Sequence, residues 1–140
     1  MAGILSPLRE YSITHFPFYD YNSSRPLLLR ISFQMKLTIK ESIEKSVLCW
    51  LATATPTGEP NVSPKEVFAA HCENHIIVAN IASPNTLKNI KANPQVCISF
   101  IDIFVQKGFQ IKGKAEIIKR GTAGFEEMEQ PLLKITEGNY

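Results

Sequence analysis

The chain has 140 residues, 44% of them hydrophobic, which is enough to bury the core of one domain and leaves little for a second. Fifteen Lys and Arg against thirteen Asp and Glu give a net charge of +2, and the two signs are interspersed, which argues against nucleic acid as a partner. No apolar run approaches the roughly 18 residues of a membrane span, and the start lacks a charged flank followed by an apolar stretch, so a cytoplasmic protein without a membrane partner is expected.

Residues 1–34 differ in pattern from the rest of the chain. Pro7, Pro17, Pro26, Tyr19, Tyr21, Asn22 and two adjacent serines break any helical period, so this stretch reads as an N-terminal arm. Residues 35–140 read as the domain, with Met35 as a possible start. Within the arm, Leu27, Leu29, Ile31 and Phe33 alternate with Leu28, Arg30 and Ser32, the pattern of one candidate strand. Thr38 with Glu41 three residues later forms a capping-box pattern and opens a short helix ending near Ser46.

From Val47 the pattern changes to strands spaced as in an antiparallel barrel or sandwich. Residues 47–55 form the first, closed by a turn at Pro56-Thr57-Gly58. Residues 61–70 form the second, and Pro64, which cannot donate to a ladder, implies an edge and a local opening at residues 63–65. After a turn at His71-Cys72-Glu73-Asn74 comes a third strand at 76–81. Ser83 is a good N-cap, Pro84 suits the first helical position and Asn93-Pro94 is a stop, so residues 83–93 form a short helix with Leu87 and Ile90 as its apolar stripe. Residues 95–103 and 109–119 are the fourth and fifth strands. The fifth puts Phe109, Ile111, Gly113, Ala115 and Ile117 on one face and Gln110, Lys112, Lys114 and Glu116 on the other. A last helix is expected from Thr122, with Phe125, Met128 and Leu132 on one side and Pro131 ending or kinking it.

Two places carry chemistry. A helix start supplies free amides and partial positive charge, and here Ser83 and Thr86 lie in the first turn, Lys88 and Lys91 follow, and Asn80 ends the strand before. These parts would cradle a phosphate; on spacing alone the better reading is a plain cap with a solvated lysine face. At Pro64, a strand that stops pairing offers backbone groups to the edge of a planar heterocycle, and Lys65 beside it could stabilise charge on such a ring. An edge strand guarded by Pro64 and Lys65 is the other reading. His71-Cys72-Glu73-Asn74-His75 offers at most three metal ligands on one turn, so a polar hairpin is the better reading and no metal is expected. No nucleophile motif or Gly-rich phosphate loop is present. Of the three cysteines, Cys49 and Cys97 lie in apolar runs as core fillers, which fits a reducing compartment.

Four stretches share one resemblance: Leu51-Ala52-Thr53-Ala54 before a Gly turn; Pro60-Asn61-Val62-Ser63-Pro64; Val78-Ala79-Asn80-Ile81 leading to Thr86-Leu87-Lys88-Asn89-Ile90-Lys91-Ala92-Asn93-Pro94; and Gly108-Phe109-Gln110-Ile111-Lys112-Gly113-Lys114-Ala115-Glu116. In order and spacing they resemble the pyridoxamine 5'-phosphate oxidase-like family of FMN-binding split barrels. The resemblance implies a mainly β fold, a six-stranded antiparallel split barrel with short flanking helices, forming a homodimer with FMN in clefts made by both subunits. It places the isoalloxazine along Ser63, Pro64 and Lys65, the phosphate near Ser83, Thr86 and Lys88, and Val78 and Asn80 on the approach, with Gln110 contributed by the partner subunit. Asn85 stands where many relatives have a basic residue, and the chain lacks the C-terminal segment of the vitamin B6 oxidases, which argues against that specific activity.

With FMN bound, the flavin would carry the redox chemistry and the protein would orient it. The expectation is an oxidoreductase passing electrons or hydride, for example from a reduced nicotinamide, to a small acceptor, with no residue assigned as acid or base. The alternative is a non-catalytic domain that binds or senses a flavin or haem, and a third reading is a dimeric barrel with no cofactor.

Overall fold

The computed structural model describes residues 27–32 and 37–138. In chain order these form β1 (Leu27–Ser32), α1 (Leu37–Lys45), β2 (Cys49–Ala54), β3 (Pro60–Lys65), β4 (Phe68–His71), β5 (His75–Asn80), α2 (Pro84–Ala92), β6 (Gln95–Asp102), β7 (Lys107–Ile118) and α3 (Phe125–Thr136). All strand pairs are antiparallel, in the order β3-β2-β6-β7-β1-β5-β4. The architecture is the expected mainly β half-barrel with short helices, with seven strands rather than six.

The extra strand has a local cause. The run at 61–70 divides at Glu66 and Val67, so that β3 and β4 lie at opposite edges of the sheet. The opening expected at residues 63–65 therefore falls after Lys65; Ser63 and Pro64 stay in register with Leu51 and Trp50. Thr55 N–H donates to Glu59 at 3.0 Å, and in an antiparallel ladder bonded pairs alternate. Thr53–Asn61, Leu51–Ser63 and Cys49–Lys65 are then the bonded pairs, and the nitrogens of Pro60 and Pro64 face the free edge. The missing donors cost nothing there and deter edge-to-edge association.

β1 comes from the stretch expected to be an arm. It is inserted between β5 and β7, with Leu29 opposite both Val78 and Ile117, and Leu28, Leu29 and Ile31 are fully buried. The folded sheet thus extends N-terminal to Met35, while Phe33, the last residue of the predicted alternation, lies outside the described residues.

The main core, inside the half-barrel, joins Leu29, Ile31, Ile43, Leu51, Phe68, Val78, Ile98 and Phe100, among others. A second core on the opposite face packs α3, through Phe125, Met128 and Leu132, onto Leu28, Ile77, Ala79 and Ile118. Covered on both faces, β5 is buried along five of its six residues, which is why His75-Ile76-Ile77-Val78-Ala79-Asn80 is continuously apolar at its centre instead of alternating.

Helix boundaries differ from expectation at three points. α1 begins at Leu37, so Thr38 lies inside the helix rather than capping it, and its side chain is outside the described residues. α3 starts at Phe125 after a left-handed Gly124, not at Thr122, and it runs on through Pro131 to Thr136. Burial of Leu132, one residue past the proline, outweighs the lost helical hydrogen bond. In the β6–β7 hairpin, a Cβ on Gly108 would lie 2.6 Å from the Phe100 carbonyl oxygen, so only glycine fits.

Candidate cofactor-binding seam

Between edge strand β3 and the end of β5 the barrel is held by side chains instead of a backbone ladder. On β3, Asn61, Ser63 and Lys65 share the inward face with their partners Thr53, Leu51 and Cys49, because directly opposed residues project to the same side. After β5 the chain turns through Ala82, held at φ +49, a left-handed conformation that alanine rarely adopts. That turn aims Ser83 back at β3.

Ser83 occupies the N-cap position of α2, yet its hydroxyl makes no cap hydrogen bond. Instead it accepts from Lys65 Nζ at 2.5 Å, lies 2.9 Å from Ser63 Oγ and donates to the Ile81 carbonyl at 3.2 Å. Lys65 Nζ also donates to Asn80 Oδ1 at 3.3 Å. The first turn of α2 is thereby left without its usual side-chain acceptor, next to a lysine that is only 3% exposed.

Lys65 makes no ion pair among the described residues. Its two acceptors are neutral and its third N–H has no acceptor among the described residues. Burial holds its pKa below the ordinary lysine value. Beside it, burial pushes the Cys49 thiol up to about 12, opposed in part by Lys65, so Cys49 is neutral and supplies no counter-charge at pH 7. A buried cation without an anion, beside the positive end of a helix, is a place for an anionic group.

A second polar cluster fixes α2 against the barrel. Asn61 Nδ2 donates to Thr53 Oγ1 at 3.2 Å and Thr86 Oγ1 at 3.3 Å, and Asn89 Nδ2 donates to Thr53 Oγ1 at 3.1 Å. Sequence reasoning missed Asn61, Thr53 and Asn89. The signal was faint: Thr53 and Asn61 are polar residues on the face of β2 and β3 that otherwise carries the core, and Asn89 is a polar residue on the buried side of α2.

The structure thus gathers Ser63, Lys65, Asn80 and Ser83 into one cluster. Thr86 lies beside it, buried, with its hydroxyl engaged by Asn61. Pro64 is exposed on the outer face of β3, and Lys88 is exposed on α2. Val78 is buried in the core. Gln110 is exposed on the outer face of β7, opposite Ser99 and three strands from β3. A groove of about 190 Å³ opens at Pro64, Lys65, Glu66, Val67, Ala79 and Ile81. A larger groove, about 670 Å³, lies elsewhere, between α1, β4 and α3. His71 and His75 face each other across the β4–β5 hairpin, with ring centroids 6.4 Å apart, at the far end of β5 from the seam. No cluster of metal-binding side chains occurs among the described residues.

These features define a split barrel whose seam is polar and carries one buried lysine. The sequence model of the family described as pyridoxamine 5'-phosphate oxidase matches residues 35–140, and the chain belongs to that family. Similar solved structures include HupZ from Group A Streptococcus, at 25% identity and TM-score 0.62 over 76% of this chain and 80% of that one. The haem storage protein HutZ from Vibrio cholerae matches at 21% identity and TM-score 0.55, over 76% of this chain and 81% of that one. No curated protein matches. Among the described residues no helix is long and apolar enough to cross a membrane.

Proposed function

We propose that the chain is a non-catalytic binding protein for a planar, negatively charged cofactor, haem or a flavin, which it holds by the anionic group at Lys65. The observation that carries this reading is the buried, unpaired Lys65 ammonium beside an α2 start whose cap serine is turned toward it. A propionate or a phosphate would complete both. The hydrogen-bonded cluster at the seam contains hydroxyls, an amide and one lysine, and the carboxylate that lines its groove, Glu66, is solvent-exposed, which favours holding a ligand over transforming it. HutZ, which shares the fold, is a haem storage protein, and this points the same way. Among the described residues no histidine lies at the seam, so an iron ligand would come from outside this cluster.

The groove of about 190 Å³ is smaller than the roughly 300–1,000 Å³ of small-molecule sites, so one chain holds only one edge of such a cofactor. A second copy would supply the remainder, covering the outer face on which Trp50 and Val62 are exposed together with Pro64 and Ile101. A homodimer is the assembly this reading requires.

FMN-dependent electron transfer from a reduced nicotinamide is the second reading, favoured by the hydroxyl-rich start of α2 and by the family itself. Absorbance spectra after mixing with haem or FMN and desalting separate the readings. A retained cofactor without nicotinamide oxidation above free FMN supports binding alone; turnover supports the second; retention of neither cofactor removes both.

A further inference from the structure

Ile103, Phe104 and Val105 follow one another at the tip of the β6–β7 hairpin, all exposed, and Phe104 is the most exposed large apolar side chain among the described residues. The tip is firmly built. The buried Asp102 carboxylate accepts the amides of Phe104 and Val105, and Gln106, at a left-handed φ of +54, turns the chain into β7. A fixed loop that holds three consecutive apolar side chains in solvent marks a contact surface.

The tip lies at the same end of the sheet as the seam. Lys65 is opposite Cys49 and Cys49 is opposite Phe100, so these three form one row across β3, β2 and β6, and the tip begins at Ile103, just past that row. Within one chain, β2 stands between the tip and the groove at Pro64–Val67. That groove is lined by Pro64, Lys65, Glu66, Val67, Ala79 and Ile81, which include no aromatic side chain to stack on a planar ring.

We propose that the hairpin tip of one copy closes the seam of a second copy, with Phe104 stacked on the planar cofactor held there; this rests on the binding reading given above. The exposed apolar residues of the outer face are centred on β2, where Trp50 stands opposite Pro64 of β3 and Ser99 of β6, with Val62 and Ile101 to either side. Two copies packed face to face on this surface have their two-fold axis in the plane of contact. An axis along β2 lays β6 of one copy over β3 of the other, about 10 Å away, and keeps the Lys65 ends together, so each tip meets the opposite groove. An axis across the strands would carry Phe104 to the other end of the sheet, where Thr57, Glu59 and Gln95 are exposed and offer no apolar contact.

Absorbance titration with haem and with FMN tests this on the full chain, on Phe104→Ser, on Lys65→Met and on a mixed dimer of the two variants, isolated through different tags on its chains. Phe104→Ser changes an exposed side chain and keeps the fold, and it should weaken binding about tenfold, the worth of an aromatic stack. The mixed dimer has one seam with both defects and one with neither, so it should bind one cofactor per dimer with the affinity of the unmodified chain. If Phe104 acts within its own chain, each seam of the mixed dimer carries one defect and no tight site returns, which overturns the proposal. Unchanged affinity in Phe104→Ser, or a cofactor-bound protein that stays monomeric, overturns it too and leaves the Lys65 anchor standing. Unchanged affinity in Lys65→Met, or no binding by the unmodified chain, removes the binding reading itself and the role of the tip with it.

Discussion

Lys65 forgoes an ion pair to occupy the seam, and the cost of that position is measurable. With its folded pKa depressed, the unfolded chain binds the extra proton, so stability rises as pH climbs from the folded value toward the ordinary 10.5. Lys65→Met should therefore raise the stability of the cofactor-free protein at pH 7, a gain that fades near pH 10, while weakening cofactor binding. Urea midpoints at the two pH values check it; a destabilised variant would mean that Lys65 is structural. His75 is held below its ordinary 6.5 by burial, with Arg30 and His71 adding to the effect. Its contribution is complete above pH 6.5 and is lost as the pH falls through the folded value. His75→Gln should accordingly flatten the loss of stability between pH 7 and 5, and an unchanged acid limb would contradict the assignment. Gly108→Ala, which forces a methyl group against the Phe100 carbonyl, should cost about 1–3 kcal/mol in a thermal or urea melt.

At the scale of elements, β1 matters most. Its neighbours β5 and β7 do not pair with each other, so its removal leaves two unpaired edges in the middle of the sheet and uncovers both cores. A chain beginning at Met35 should aggregate or melt without a cooperative transition, and a soluble, cooperatively folded product would show that β1 is dispensable. Most elements were legible because their periods were undisturbed: β7 alternates along its length, and α2 is bracketed by Ser83-Pro84 and Asn93-Pro94. The split of residues 61–70 was not, because prolines at non-bonded edge positions look like interruptions in one dimension, and the actual break at Glu66 and Val67 carries no turn residue. The passage of α3 through Pro131 was hidden for a related reason: only tertiary burial of Leu132 outweighs the local signal. At the seam, Ser83 was legible as a cap, but its rotation toward Lys65 depends on the left-handed turn at Ala82, which no residue preference announces.

The whole molecule joins a half-barrel to a polar seam that carries the buried Lys65. Exposed apolar residues are concentrated on the outer face of β2, β3 and β6 and at the hairpin tip, where Phe104 is 87% exposed. The tip is held in place by the Asp102 carboxylate, which accepts from the amides of Phe104 at 3.0 Å and Val105 at 3.4 Å. The central claim is that an anionic, planar cofactor is anchored at Lys65, and absorbance titration of the full chain and of Lys65→Met with haem and with FMN tests it most directly. The expected result is saturable binding of one of the two by the full chain and at least a tenfold weaker affinity in the variant, the scale of a charge-assisted contact, about 1.5–3 kcal/mol. Equal affinity in both proteins, or binding of neither cofactor, would contradict it.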